Sequence, residues 1–108
     1  MTELRIKDKD KVIVVGVGLK TEPLSEIKEN LCELEELVTA AGGEVIASTV
    51  QVLPQWNPST LIGSGKVAEI KDLAVESNAQ VVVIDHQLSG IQTRNLQTEI
   101  QTDRKSVV

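Results

Sequence analysis

The segment Gly63-Ser64-Gly65-Lys66 carries the residues whose types and spacing come closest to phosphate chemistry. Glycines followed by lysine at the start of a helix can hold a phosphate with backbone amides and one positive charge. A nucleotide-hydrolysing P-loop also needs glycine five residues before the Gly-Lys pair and Ser or Thr directly after the lysine. Thr60 and Val67 stand at those two positions. The segment therefore predicts a weak anion site at a helix start, and it argues against hydrolysis of a magnesium nucleotide.

Two further pairs of residues could bear chemistry, but each has a simpler structural interpretation. Gly16 and Gly18 follow an apolar run, as in a dinucleotide-binding turn, yet Thr21 occupies the place of that motif's third small residue. We therefore interpret these glycines as a tight exit turn. Asp85 and His86 could form an acid–base pair, but no motif places a nucleophile or a second carboxylate nearby. We favour a polar strand end there and predict no catalytic residue in the chain.

Composition narrows the classes of site further. The single Cys32 can form neither an internal disulfide nor a zinc cluster, so we predict no metal site and interpret Cys32 as a packing residue. With no Phe or Tyr, the chain lacks an aromatic platform for single-stranded RNA. Its one tryptophan, Trp56, is either a lid on the domain or an exposed anchor for a partner. No apolar run approaches the roughly 20 residues of a membrane span, and we expect the protein in the cytoplasm.

Charge does not exclude an RNA partner. The net charge of −5 arises from 16 acidic and 11 basic residues. Six of the glutamates fall within one predicted helix, residues 22–41, and most simply form its solvated face. Other surfaces could therefore still meet phosphate.

Hydrophobic patterning predicts an α/β fold with a small, open, mainly parallel sheet and helices on both faces, in a three-layer, Rossmann-like arrangement. The last helix starts at Ser89, because Ser89 and Gln92 have the spacing of a capping box. The second strand is mixed in polarity and should lie nearer the sheet edge, while the third should lie beside the first. In chain order we predict strand Val12–Val15, a helix over 22–41 with Thr21 as its N-cap, strand Glu44–Leu53, loop Pro54–Gly63, a helix from about Gly65 to Ser77, strand Val81–Ile84, and a helix from Ser89 to about Gln101.

Parallel strands bring the loops that follow them to one edge of the sheet, where ligands bind in open α/β folds. We therefore expect three loops to meet there: Gly16–Thr21, Leu53–Gly65 and Asp85–Leu88. This places Lys66, Asp85 and His86 on the same rim.

Two ordered motifs resemble the N-terminal domain of HflX GTPases. The first is the loop Asn57–Val67, which is similar to a P-x-T-Y-I-G-S-G-K-V segment of that family. The second joins Asp85–Ser89 to Gln92–Leu96 and is similar to the family's D-x-E-L-S-P-x-Q-x-R-N-L helix start. Leu61, Gln87 and Gly90 depart from the family's usual residues without breaking the predicted fold. The resemblance suggests a charged lead-in over 1–11, the α/β domain over 12–102, and over 103–108 the start of a segment leading to further domains.

The resemblance implies a role within a larger protein. HflX proteins continue into a helical domain and a GTP-hydrolysing G domain, and they associate with the large ribosomal subunit. GTP and Mg would then belong to the G domain, with no cofactor and no enzymatic activity in this chain. The partners implied are rRNA of the large subunit and the protein's own helical and G domains. Contacts to RNA phosphate or to those domains are expected from Gly63, Ser64, Gly65, Lys66, Asp85, Arg94 and Asn95.

Two alternatives remain open on the sequence. One is a stand-alone α/β protein that binds nucleotides through a weak phosphate contact at Gly63–Lys66. The other is a dimerisation module that uses the apolar stripe Leu24–Ala41, although a sheet of this kind needs that stripe to cover one of its faces.

Overall fold

The computed structural model describes residues 6–100 and 106–107, which form a four-stranded parallel sheet with helices on both sides. The strands lie in the order β2-β1-β3-β4, so β2 is at an edge and β1 pairs with both β2 and β3. The predicted α/β class and the predicted places of the second and third strands are confirmed. The elements are β1 Lys11–Leu19, α1 Leu24–Ala40, β2 Glu44–Leu53, α2 Ser64–Ser77, β3 Val81–Ile84, α3 Gly90–Glu99 and β4 Ser106–Val107.

The two central strands are buried on both faces because their β-branched side chains alternate between two cores. Val12 and Val14 of β1 point to the face covered by α1, where they pack with Leu31 and Val38. The alternate side chains of β1 and β3 point to the other face and form the larger core beneath α2 and α3. From the strands this core contains Ile13, Val15, Val17, Val82 and Ile84, and from the helices Ile70, Ala74 and Leu96. All four residues of β3 are buried.

The first strand is longer than the sequence predicts, and the predicted glycine turn is wrong. Gly16 and Gly18 lie inside β1, which ends at Leu19. A Cβ atom at Gly18 would lie 2.6 Å from Cγ1 of Ile27 and closer still to its Cδ1. These glycines therefore let α1 approach the sheet closely, which is a packing role. The chain leaves the strand only at Lys20.

Two helices end at residues with positive φ. Gly42, at φ +98°, follows α1, and Asn78, at φ 58°, ends α2 in the left-handed conformation. The capping box of Ser89 and Gln92 is formed. The N-cap of α1 is Pro23, without a side-chain cap, so the prediction of Thr21 is wrong.

The ends of the chain contribute to the domain where they are described. Within the lead-in, the Lys9 amide donates to the Gly42 carbonyl at 2.7 Å. In the stretch 103–108, Ser106 and Val107 pair with β3 as a fourth strand, which patterning did not predict. The predicted end of α3 near Gln101 lies outside the described residues. Among the described helices, none is both long and apolar enough to cross a membrane.

Candidate functional site

The loops that follow β1, β2 and β3 meet at the carboxyl edge of the sheet, as the topology predicts. The Lys20 amide donates to the Leu53 carbonyl at 2.8 Å, which joins the first loop to the second. The rings of Trp56 and His86 lie 4.6 Å apart, which joins the second loop to the third. The expected rim therefore exists, although its first loop is shorter than predicted.

Gly63 and its neighbours form the start of α2. Gly63 is the N-cap residue, and its amide donates to Oε1 of Gln51 at 3.0 Å. Ser64 and Gly65 are exposed, and a Cβ at Gly65 would meet open space. The first turn of α2 thus offers accessible backbone amides, but packing does not require glycine at position 65.

Lys66 is held within the domain. Its Nζ donates to Oγ1 of Thr49 at 3.0 Å and to Oε2 of Glu69 at 2.5 Å. Its side chain is only 15% exposed, against 51% for Glu69. The hydrogen bond from Lys66 lowers the pKa of the Glu69 carboxyl. The positive charge expected at this turn is therefore largely neutralised by a residue one helical turn away.

Asp85 and His86 follow directly after β3, at the carboxyl edge of the sheet. The Asp85 amide continues the sheet by donating to the Val15 carbonyl at 2.8 Å. Its half-buried carboxyl accepts no hydrogen bond from the described part of the chain, and burial raises its pKa while the charge of His86 opposes that shift. The His86 ring lies with Nδ1 2.9 Å from the Gln87 carbonyl, so Nδ1 must carry the proton and donate.

Trp56 packs on the domain as a lid and is not an exposed anchor for a partner. It is half-buried and packs against the core under α2 and α3, and its ring is tilted by 53° to that of His86. This geometry holds the start of the β2–α2 loop over the end of β3.

The loop Asn57–Leu61 is a closed turn that is fixed to α3. Asn57 and Leu61 exchange two backbone hydrogen bonds, at 3.0 and 2.7 Å, and Leu61 is buried at φ 68°. Nδ2 of Asn95 donates to the Ser59 carbonyl at 2.9 Å, and Nε2 of Gln92 donates to the Asn57 carbonyl at 3.4 Å. We call Asn57–Leu61 together with Gln92, Arg94 and Asn95 the loop–α3 surface.

The two sequence motifs are thus parts of one surface. Two of the predicted contact residues lie on this surface. The side-chain amide of Asn95 donates to the loop, whereas Arg94 is exposed and makes no ion pair with the described residues. Sequence reasoning missed the second role of Gln92, whose Oε1 accepts from the Ser89 amide while its Nε2 reaches the loop. A glutamine that caps its own helix and also bonds a loop has no signal beyond the capping-box spacing.

An open cleft of about 400 Å³ lies between this loop and the helices. Its polar lining mixes hydroxyl and amide groups with one basic and one acidic side chain, and comes from Asn57, Ser59, Thr60, Ser64, Lys71 and Glu99. In the described part of the chain, no cluster of His, Cys, Asp or Glu has the arrangement of a metal site. Cys32 is exposed on α1, so its interpretation as a packing residue is wrong.

Comparison with known proteins supports the resemblance that the two motifs indicate. Residues 28–108, three quarters of the chain, match a family described as "GTP-binding GTPase N-terminal". A GTPase HflX of Lacrimispora saccharolytica is 39% identical over an alignment of 113 residues that covers 100% of this chain and 26% of the relative. GTPase HflX of Flavobacterium psychrophilum is 36% identical, covering 81% of this chain and 21% of its own length. GTPase HflX of Escherichia coli is 38% identical, over an alignment that covers 64% of this chain and 16% of the relative.

The chain thus spans about a quarter or less of the length of these relatives. The match extends over both motifs of the loop–α3 surface and over β3. The chain belongs to the family of HflX GTPase N-terminal domains.

Proposed function

We propose that this chain is the accessory N-terminal domain of an HflX-type GTPase, which contributes to association with the large ribosomal subunit and regulates a G domain located elsewhere in the protein. Family membership supports the parent activity, and the structure suggests how the domain contributes. The observation that carries the proposal is the loop–α3 surface. Its two segments are 35 and 36 positions apart along the chain, yet side-chain hydrogen bonds hold them together.

A surface built in this way is suited to docking. The closed turn and its bonds to α3 fix the loop before any partner arrives, which reduces the entropy lost on binding. Asp85 keeps a half-buried carboxyl at a cost in stability, as its raised pKa indicates. A loop fixed in advance and a half-buried carboxyl are both typical of a surface that binds a partner.

Arg94 is the better candidate for a phosphate contact than Lys66. Arg94 is exposed, and its guanidinium can donate two parallel hydrogen bonds to one phosphate. Lys66 would first have to leave Glu69 and Thr49. We therefore assign Gly63, Ser64, Gly65 and Lys66 a secondary role, in which exposed amides of the first turn of α2 follow an RNA backbone.

GTP and Mg are proposed to bind to the G domain and not to this chain. The turn at Gly63–Lys66 does not fit a magnesium nucleotide, because Lys66 is ion-paired and Val67 occupies the place of the hydroxyl that would hold the metal.

The test is charge reversal at Arg94 in the intact GTPase. Arg94→Glu should weaken co-sedimentation with large ribosomal subunits and reduce the dependence of affinity on log salt by about one ion, since one phosphate contact is lost. The affinity for GTP should not change. Lys28→Glu, an equal charge change on the exposed side of α1, is the matched control.

Two results would contradict the proposal. If Arg94→Glu and Lys28→Glu affected ribosome binding equally, the loop–α3 surface would have no specific role. If Arg94→Glu abolished GTP binding while the protein remained folded, the surface would belong to a nucleotide site.

A further inference from the structure

The outer edge of β2 is a row of unpaired backbone groups. Within residues 6–100 and 106–107, β2 pairs only with β1. The Leu53 carbonyl faces β1, because it accepts from the Lys20 amide. Backbone groups of a strand alternate in direction with a period of two residues, so those of Ser48, Val50 and Val52 face outward. Three N–H donors and three carbonyl acceptors therefore point away from the sheet.

This edge lacks the usual protection against strand addition. Natural edge strands are commonly short, or carry charged residues, proline or bulges that block pairing. From Val45 to Leu53 there is neither a charged residue nor a proline. The one irregularity in the pairing lies near the start of the strand, between the partners of Val12 and Ile13. The stretch from Ala47 to Leu53 keeps an unbroken register and can accept another strand.

Carboxylates border the edge on the α1 side. A groove of about 410 Å³ runs between α1 and β2 and is lined by Glu35, Glu36, Thr39, Ala40 and Val45. The hydroxyl of Ser48 donates to Oε2 of Glu35 at 3.1 Å, which holds that carboxylate beside the strand. A strand added to β2 would place every second side chain next to this groove.

On the α2 side, Lys66 and Glu69 form an ion pair beside Thr49 of β2. Glu69 is 51% exposed, whereas its partner Lys66 is 15% exposed. An approaching chain therefore meets an ion pair on the α2 side, and on the α1 side the carboxylates of Glu35 and Glu36, which form no ion pair with the described residues. A second copy of this domain would oppose its own carboxylates there, and RNA phosphate would be repelled.

We propose that the outer edge of β2 binds an extended, basic peptide segment of a protein partner as an additional strand. The backbone of that segment pairs with Ser48, Val50 and Val52, as in other cases of strand addition. Its lysine or arginine side chains, spaced two residues apart, reach Glu35 and Glu36. This contact is separate from the loop–α3 surface, so both can be occupied at once.

The test uses the full 108-residue chain and two fluorescent ten-residue peptides. In one peptide Lys alternates with Thr, and in the other Glu alternates with Thr. We expect the lysine peptide to bind in an anisotropy titration and to slow hydrogen exchange at the amides of Ser48, Val50 and Val52. The glutamate peptide should do neither.

Two double variants distinguish the effect of the groove carboxylates on peptide binding from the effect of the net charge of the domain. Glu35→Gln with Glu36→Gln should weaken binding of the lysine peptide roughly three- to thirtyfold, because two exposed ion pairs are lost while the hydrogen-bonding oxygen at position 35 is kept. Glu29→Gln with Glu33→Gln makes the same change of charge on α1 without touching residues that line the groove. It should leave the affinity within about twofold, apart from long-range screening.

The proposal would be overturned by any of three results. The first is peptide binding without slower exchange at the three outward amides. The second is an equal loss of affinity in both double variants. The third is protection of those amides that rises with protein concentration in the absence of peptide, which would assign the edge to a second copy of the chain.

Discussion

Trp56 and His86 are the only tryptophan and the only histidine in the chain, and their rings are in contact. Asp85, the residue before His86, is the first residue after β3. An imidazole ring in contact with an indole ring alters the surroundings on which indole emission depends. The packing of the lid can therefore be followed by intrinsic fluorescence.

We predict that His86→Gln changes the intensity and wavelength of Trp56 emission at constant pH, because it removes the ring that packs against the indole. Asp85→Asn, which leaves both rings in place, should keep the emission of the unchanged protein. Fluorescence spectra of the three proteins provide the measurement. Identical spectra for His86→Gln and the unchanged protein would show that the two rings are apart in solution.

Asp85 gives a second prediction, about stability. Burial raises the pKa of its carboxyl in the folded protein, so folding is favoured by protonation and opposed by ionisation. The contribution of Asp85 to stability should fall as pH rises from its unfolded pKa through its folded pKa, and should stay unfavourable above that range. Asp85→Asn should therefore increase the free energy of unfolding at pH 7.

The advantage of Asp85→Asn should shrink in urea melts as pH falls below the unfolded pKa of aspartate. Asp72→Asn, the same substitution at an exposed position on α2, is the control for the loss of one carboxyl. If Asp85→Asn were destabilising at neutral pH, the carboxyl would have a hydrogen-bond partner in solution.

At the scale of elements, the start of α3 is fixed by a reciprocal pair of bonds. The Gln92 amide donates to Oγ of Ser89 at 3.1 Å, and the Ser89 amide donates to Oε1 of Gln92 at 3.0 Å. Since Gln92 also reaches the Asn57 carbonyl, the cap connects helix formation to the position of the loop.

We predict that Ser89→Ala lowers the free energy of unfolding by about 1 kcal/mol, the typical cost of losing a serine N-cap. Urea melts suffice to measure it. Thr98→Ala, which removes only a bond from a hydroxyl to the Arg94 carbonyl on the same helix, should have little effect. An unchanged midpoint in Ser89→Ala would mean that the box contributes nothing to the stability of α3.

Elements with local signals were predictable, and those set by distant contacts were not. The bounds of β2 and β3 and the Ser89 cap follow from patterning and spacing within each segment. The extension of β1 through Gly16 and Gly18 was missed, because glycine weakens strand propensity and resembles a turn, and only the approach of Ile27 shows its purpose. The meeting of three loops followed from topology. The partners of Lys66 and Asn95 did not, because Thr49 is 17 positions from Lys66 and Ser59 is 36 positions from Asn95.

For the molecule as a whole, we predict that the isolated chain hydrolyses neither GTP nor ATP above background. Lys66 is occupied by Glu69 and Thr49, and no hydroxyl follows it to hold Mg. Single-turnover assays with each labelled nucleotide measure this directly. Turnover that disappears in Lys66→Ala would contradict the prediction and would favour the stand-alone nucleotide-binding alternative.

The central place of β1 in the sheet also determines the order in which the chain can fold. Val12 pairs with Val45, 33 positions later, but also with Val81, 69 positions later. Closing the longer loop costs more chain entropy, so β1, α1 and β2 can assemble before β3 takes its place. Until then the side of β1 that carries Ile13 and Val15 lacks its β3 neighbours Val82 and Ile84. The slow step of folding, and the period of greatest exposure to aggregation, should therefore be the insertion of β3 beside β1.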